Sequence, residues 1–214
     1  MRGPHLVYFA DPMCSWCWGF SPVIEAIERE FGEDLPVRLV LGGLRPGHEV
    51  AMTAADRADI RQHWTHVHEA SGQPFDFGFF ERERFVYDTE PASRAVVAAR
   101  RDGMANALAM LARIQRAFYA ENRDVTARGE LAALAAEQGM APELFEARFE
   151  APDVSEETWR DFAITQQAGV RGFPALIAGA GDGREYALVT SGFQPAARIV
   201  PALAAWRGAL GQAG

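Results

Sequence analysis

The stretch that most constrains the fold is the start of the chain, where a strand, a helix and a second strand follow one another almost without connection. His5–Ala10 (HLVYFA) is a short apolar, β-rich run ending at Asp11-Pro12, and it reads as a buried strand. From Trp18 to Phe31, apolar residues at Phe20, Val23, Ile24, Ile27 and Phe31 recur at helical spacing, with Gly32 as the stop. Pro22 lies inside that pattern and predicts a kink. Val37–Leu41 (VRLVL) is the second strand, closed by Gly42-Gly43. Such a β-α-β unit implies a parallel strand pair and a right-handed crossover. Both cysteines of the chain, Cys14 and Cys17, fall at the strand-to-helix junction, in DPMCSWCWGFSP.

The middle of the chain reads as helical. Thr53 opens TAADRADIRQHWTHVHEASG as an N-cap, with Asp56 three residues on and Gly72 after the end. Residues 73–91 are aromatic-rich and read more as loop than helix. Ala92–Asp102, Met104–Tyr119, Glu130–Gln138 and Pro142–Phe149 follow as helices, then Ser155–Gln167 with Ser155 as its cap. The pattern then returns to strands at Ala175–Ala178 and Tyr186–Ser191, an expected antiparallel hairpin, and ends in a helix from about Pro195 to Leu210. GAGDG (Gly179, Gly181, Gly183) looks superficially like a phosphate loop, but it joins two strands and reads as a turn.

Composition removes several function classes. The net charge is −8, and all 21 basic residues are arginines. An acidic chain without a basic block argues against nucleic acid or an anionic membrane as the main partner. A chain without lysine has no Schiff-base chemistry and no P-loop lysine. The apolar run Leu6–Ala10 is too short for a secretory core or a membrane helix, so a cytoplasmic location is expected. In that compartment a close cysteine pair is more often catalytic or metal-binding than structural.

At the first turn of a helix a thiol meets unpaired backbone N–H groups and the positive end of the macrodipole. Cys14 is therefore expected to ionise more readily than a free cysteine and to act as nucleophile. Cys17, one turn along, is expected to be more buried and to resolve the mixed disulfide. Ser15 and Trp16 lie between them. A closed zinc site needs four ligands, and no second CxxC exists; His63, His66 and His68 sit on a helix with no cysteine near in sequence, and read as a solvated face. No metal is expected. Two inert buried thiols would be a weaker coincidence than a redox couple.

CSWC between a strand and a helix, followed downstream by RGFP before a later strand, resembles the thioredoxin superfamily. The long helical insertion resembles its DsbA-like branch, and DPMCSWCWGFSP is similar to the cytoplasmic FrnE-type group of disulfide isomerases. The resemblance implies an α/β thioredoxin-like fold, β-α-β then β-β-α, made of residues 1–44 and 169–214, with 45–168 as a helical insertion. It implies a cis Phe173–Pro174 bond beside the cysteines, with backbone before it that pairs with substrate. It implies exchange with protein or peptide thiols and disulfides, no resident cofactor, and glutathione or a thioredoxin-type reductant as co-substrate.

Many thioredoxin-like proteins carry a buried carboxylate six residues before the first cysteine. Here that residue is Tyr8, and Asp11 reads as a turn former. Trp16 and Trp18 are expected to form an apolar rim for clients, and Phe75, Phe77, Phe79, Phe80 and Phe85 to pack the insertion onto the sheet. Two other functions stay open. Kappa-class glutathione transferases and hydroxychromene-carboxylate isomerases resemble this architecture but place a serine at the attacking position. A non-catalytic client-binding module is the third.

Overall fold

A computed structural model describes residues 3–181 and 186–212, so Gly183 of the expected turn lies outside the described residues. All six residues of β1 (His5–Ala10) are buried, and the strand is interior to the sheet. It pairs in parallel with β2 (Val37–Leu41) and antiparallel with β3 (Ala175–Gly179), which pairs in turn with β4 (Tyr186–Ser191), giving the order β2-β1-β3-β4. A strand flanked on both sides and covered on both faces has no use for alternation, which is why Leu6–Ala10 is continuously apolar.

One face, carrying Val7, Phe9, Val40 and Ala175, is covered by Ile164 of α7 (Pro152–Gln167). The opposite face carries Leu6, Tyr8, Leu39 and Leu176. It joins the larger core built from α1 (Ser15–Phe31), α8 (Ala196–Gln212) and α4 (Met104–Ala120). Between β2 and β3 the chain also forms α2 (Ala54–Ser71), α3 (Glu90–Arg100), α5 (Arg128–Glu137) and α6 (Pro142–Phe149). The Thr53–Asp56 capping box and the left-handed Gly72 bound α2 where the sequence places them.

The outer edge of β2 is closed by side chains of these helices rather than by another strand. Leu41 N–H donates to Asp161 (3.0 Å), and Leu41 C=O accepts from the Thr165 hydroxyl (2.9 Å). Arg100 reaches Leu39 C=O at 3.3 Å and pairs with Asp161 at 2.7 Å. An edge so occupied offers no template for a further strand.

Several boundaries differ from the sequence reading, each for a local reason. α7 starts at Pro152, whose missing N–H suits a first helical position, so Ser155 is inside the helix and not its cap. Likewise Pro91 starts α3 at Glu90, two residues early. Within residues 73–91 a 3-10 turn forms at Phe77–Glu81 under an Asp76 cap. α1 continues through Pro22. The proline removes the donor that the Trp18 carbonyl would use, and Gln73 Nε2 supplies it instead at 3.0 Å. The aromatic residues 75–80 surround Trp64 of α2, with Phe79 at 4.9 Å and Phe80 at 4.8 Å between centroids, and Phe85 packs on Phe79 and on Phe118 of α4; this cluster is continuous with the core under the sheet.

Candidate active site

The turn out of β1 is built around one carboxylate. Asp11 is fully buried, and its two oxygens accept from Met13 N–H and Leu44 N–H, both at 2.8 Å. This ties the start of α1 to the loop after β2. Cys14 N–H donates to Asp11 C=O (3.1 Å), and Trp18 N–H then donates to Cys14 C=O (3.1 Å) as the first helical bond. Cys14 is thus the N-cap of α1, extended at φ −95°, ψ 116°, with no side-chain cap. Its thiol stands where the first-turn N–H groups are open. Cys14 retains 7% exposure, whereas Cys17, one turn on, has none; both are free thiols.

Beside them the Phe173–Pro174 peptide is cis. The Cys14 thiol makes a weak contact with Phe173 C=O at 3.7 Å, and Pro174 C=O accepts from Gly192 N–H at 2.7 Å, which anchors this segment to the end of β4. Gly42 makes the close approach possible: a Cβ there would stand 2.2 Å from Phe173 Cζ. Gly43 next to it has φ +66° and faces the Phe162 ring, so both glycines after β2 have a structural cause.

A groove of about 260 Å³ opens over Cys14. Ser15, Trp16 and Phe173 line it, as do Leu44 and Arg45 of the loop after β2, and Ile60 and His63 of α2. Trp16 is half-buried, 5.8 Å from Phe193 between centroids. Trp18 does not belong to this rim. It is buried, donates its indole N–H to Pro74 C=O at 3.0 Å and stacks on Tyr119, so it joins α1 to the helical block. His63, read from sequence as part of a solvated face, is exposed but borders the groove. Arg45 lies over the Tyr87 ring at 5.1 Å, and that Tyr87 hydroxyl donates to Met13 C=O at 2.7 Å. No local pattern announces Arg45 or Tyr87: both arrive at the thiol through the packing of the helical block.

Burial dominates the electrostatics. It pushes the Asp11 carboxyl up to about 6, against the opposing pull of the Leu44 and Met13 N–H groups. Burial, then the neighbouring Cys14 thiol, drives Cys17 well above the usual thiol range. The Tyr8 phenol is raised by burial and by Cys17. Among the described residues no group of three or more His, Cys, Asp or Glu side chains could hold a metal ion. No helix among them is long and apolar enough to cross a membrane.

Comparison with known proteins agrees with this geometry. The family model described as the DSBA-like thioredoxin domain matches residues 5–204. A candidate protein disulfide isomerase from Nitrosomonas europaea is similar in structure, with a TM-score of 0.88 and 37% identity over 99% of this chain and all of that one. The cytosolic disulfide reductase DsbM from Pseudomonas aeruginosa gives a TM-score of 0.73 at 31% identity over 97% of each chain, and it has also been solved with glutathione. A 2-hydroxychromene-2-carboxylate isomerase at 13% identity (TM-score 0.66) shares the fold alone. Among curated sequences, the ClpXP adapter protein SpxH of Halalkalibacterium halodurans is 22% identical over 82% of this chain. The chain spans 59% of that relative's length.

Proposed function

The chain belongs to the DsbA-like thioredoxin domain family, and on that premise we propose that it is a thiol–disulfide oxidoreductase working through Cys14 and Cys17. One observation carries the reading: a thiol that keeps a small exposure to a groove at an open helix start is followed, one turn in, by a wholly buried partner. The Cys14 thiolate attacks a substrate disulfide, its sulfur bonds to one substrate sulfur, and the other leaves as thiolate. Cys17 then attacks Cys14, closing the Cys14–Cys17 disulfide and releasing the second substrate thiolate. A reductant reverses these steps. Ser15, Trp16 and Phe173 form the surface on which a peptide segment lies, with Pro174 fixing the backbone beside the thiol.

Arg45 brings positive charge to the groove and His63 a ring nitrogen for hydrogen bonding, which suits the carboxylates of a small peptide thiol such as glutathione. The glutathione-bound relative supports that co-substrate, and its cytosolic description supports a cytoplasmic location. Residues 1–44 with 169–214 act as the redox unit and 45–168 as the block that walls its groove.

The test is a redox titration of the cysteine pair against glutathione, alongside insulin reduction and scrambled-substrate assays. Cys14→Ser is expected to abolish exchange and Cys17→Ser to trap mixed disulfides. Normal turnover by Cys17→Ser, or no disulfide between the pair at any potential, sinks the proposal. Client binding that persists in Cys14→Ser without any exchange would identify a binding module instead. Glutathione conjugation that survives loss of Cys17 would identify a transferase.

A further inference from the structure

Cys17 has a proton to lose and no exposed surface through which to lose it. Among the described residues five buried side-chain polar atoms have no hydrogen-bond partner, and two of them lie together on the core side of α1. The Tyr8 hydroxyl and Gln115 Nε2 both lie in residues with 1% exposure, and neither has a hydrogen-bond partner. Leaving such groups unpaired costs about 1–3 kcal/mol each, so each calls for an account. They line the same cavity, about 30 Å³ in volume, between β1, α1 and α4. That is room for about one or two waters. Ser21 also borders it, and Glu25 and Glu28, both exposed residues, stand at its outer end. Cys17 adjoins the Tyr8 hydroxyl, although the pair falls outside hydrogen-bond geometry at rest.

We propose that this cavity is a water-filled proton path, in which the Tyr8 hydroxyl passes the Cys17 proton to water held by Gln115 and Ser21, and on to Glu28 and Glu25. The inference rests on the thiol-exchange reading. In the resolving step the Cys17 sulfur bonds to Cys14, and the Cys14–substrate sulfur bond breaks with its electron pair on the leaving thiolate. The Cys17 proton moves onto the Tyr8 oxygen as that hydroxyl gives its own proton to the adjacent water. Tyr8 therefore starts and ends neutral, in keeping with a phenol that burial holds protonated. Glu28 accepts more readily than a free glutamate, because its carboxyl, though the residue reaches solvent, is partly desolvated by its neighbours and then opposed by Glu25. The charged and titratable groups facing the path are Cys14 and Cys17, Glu25 and Glu28 of α1; the part of α4 that lines the cavity contributes no charge. Asp11 is the rival acceptor, but both its oxygens already bind N–H groups of the turn.

The experiment is single-turnover mixing of the reduced full chain with the chromogenic disulfide of thionitrobenzoate. The first anion leaves when Cys14 attacks and the second when Cys17 resolves. That leaving group needs no proton, so the second phase isolates deprotonation of Cys17. Tyr8→Phe is expected to keep the first phase and slow the second by on the order of tenfold or more near neutral pH. The deficit should close at high pH, and the solvent deuterium effect on that phase should shrink. Its melting temperature should change little, since the hydroxyl removed bonds to no protein group, only to cavity water. Gln115→Leu should show the same kinetic signature and keeps the test available if Tyr8→Phe folds poorly. Wild-type rates and pH profile in both variants overturn the path, as does a second phase whose pH profile moves only in Asp11→Asn. A wild-type chain with no second phase fails the exchange reading itself, a different result from a second phase indifferent to Tyr8.

Discussion

Replacing Asp11 by asparagine and following stability across pH 4 to 7 isolates a single buried carboxyl. In the folded chain this group holds its proton up to about pH 6, against 3.8 when free, because burial disfavours its charge. Below the free value both states are protonated and the side chain adds no pH dependence. As pH rises towards 6 the unfolded chain has released the proton while the folded chain still binds it. Stability therefore falls with pH across this window and levels off above it. The move from 3.8 to about 6 corresponds to about 3 kcal/mol, an order-of-magnitude figure for a group with no exposure.

Asparagine does not titrate, and it loses part of the hydrogen-bonding to Met13 and Leu44 N–H, because its amide presents a donor where a carboxylate oxygen accepted. That loss does not depend on pH. The quantity to measure is thus the difference in unfolding free energy between wild type and Asp11→Asn, from urea titrations under reducing conditions. It should shift against wild type by about 2 kcal/mol between pH 4 and pH 7, the rest of the effect lying below pH 4, where the free carboxyl takes up its proton. A flat difference over that range would show that the carboxylate is compensated in place, and the reasoning from burial would be wrong.

Two further outcomes follow from contacts near the site. Gly42→Ala puts a methyl 2.2 Å from Phe173 Cζ, so the ring must swing out of the groove; exchange rates should drop on the order of tenfold, with the melting temperature little changed, as measured by insulin reduction and thermal unfolding. Arg100→Met leaves Asp161 buried without its cation at the edge of β2 and should cost about 3 kcal/mol by urea titration; a companion Asp161→Leu change should recover part of that loss.

The parts of this protein that a sequence declares are those set by near neighbours. The buried strand at His5–Ala10, the β-α-β opening and the position of both thiols at its junction follow from periodicity and from a turn at Asp11-Pro12, and the structure has them in place. The Thr53–Asp56 box bounds α2 for the same reason. The misses are contacts made across long stretches of chain. Trp18 looks from sequence like a partner of Trp16 on the client rim, and it is instead drawn inward by Pro74 and Tyr119. Arg45 and His63 reach the thiol groove through the docking of the helical block, which no local pattern encodes.

Pro22 shows how far such reading can be taken. A proline inside α1 leaves the carbonyl four residues earlier without a donor, and that carbonyl belongs to Trp18, directly after Cys17. Some group had to cover it, and a polar side chain from outside the helix was the available kind; that it would be Gln73 was not legible. The consequence bears on the proposed exchange. The same residue pair, Trp18 and Gln73, joins α1 to the loop that follows α2, so the turn carrying both thiols is held from the helical block as well as from the sheet. A helical block that supplied only a binding surface would not need to grip the backbone beside Cys17. Its contacts at Trp18, at Met13 through Tyr87 and at the β2 edge through Asp161 make it part of the frame around the turn that carries Cys14 and Cys17.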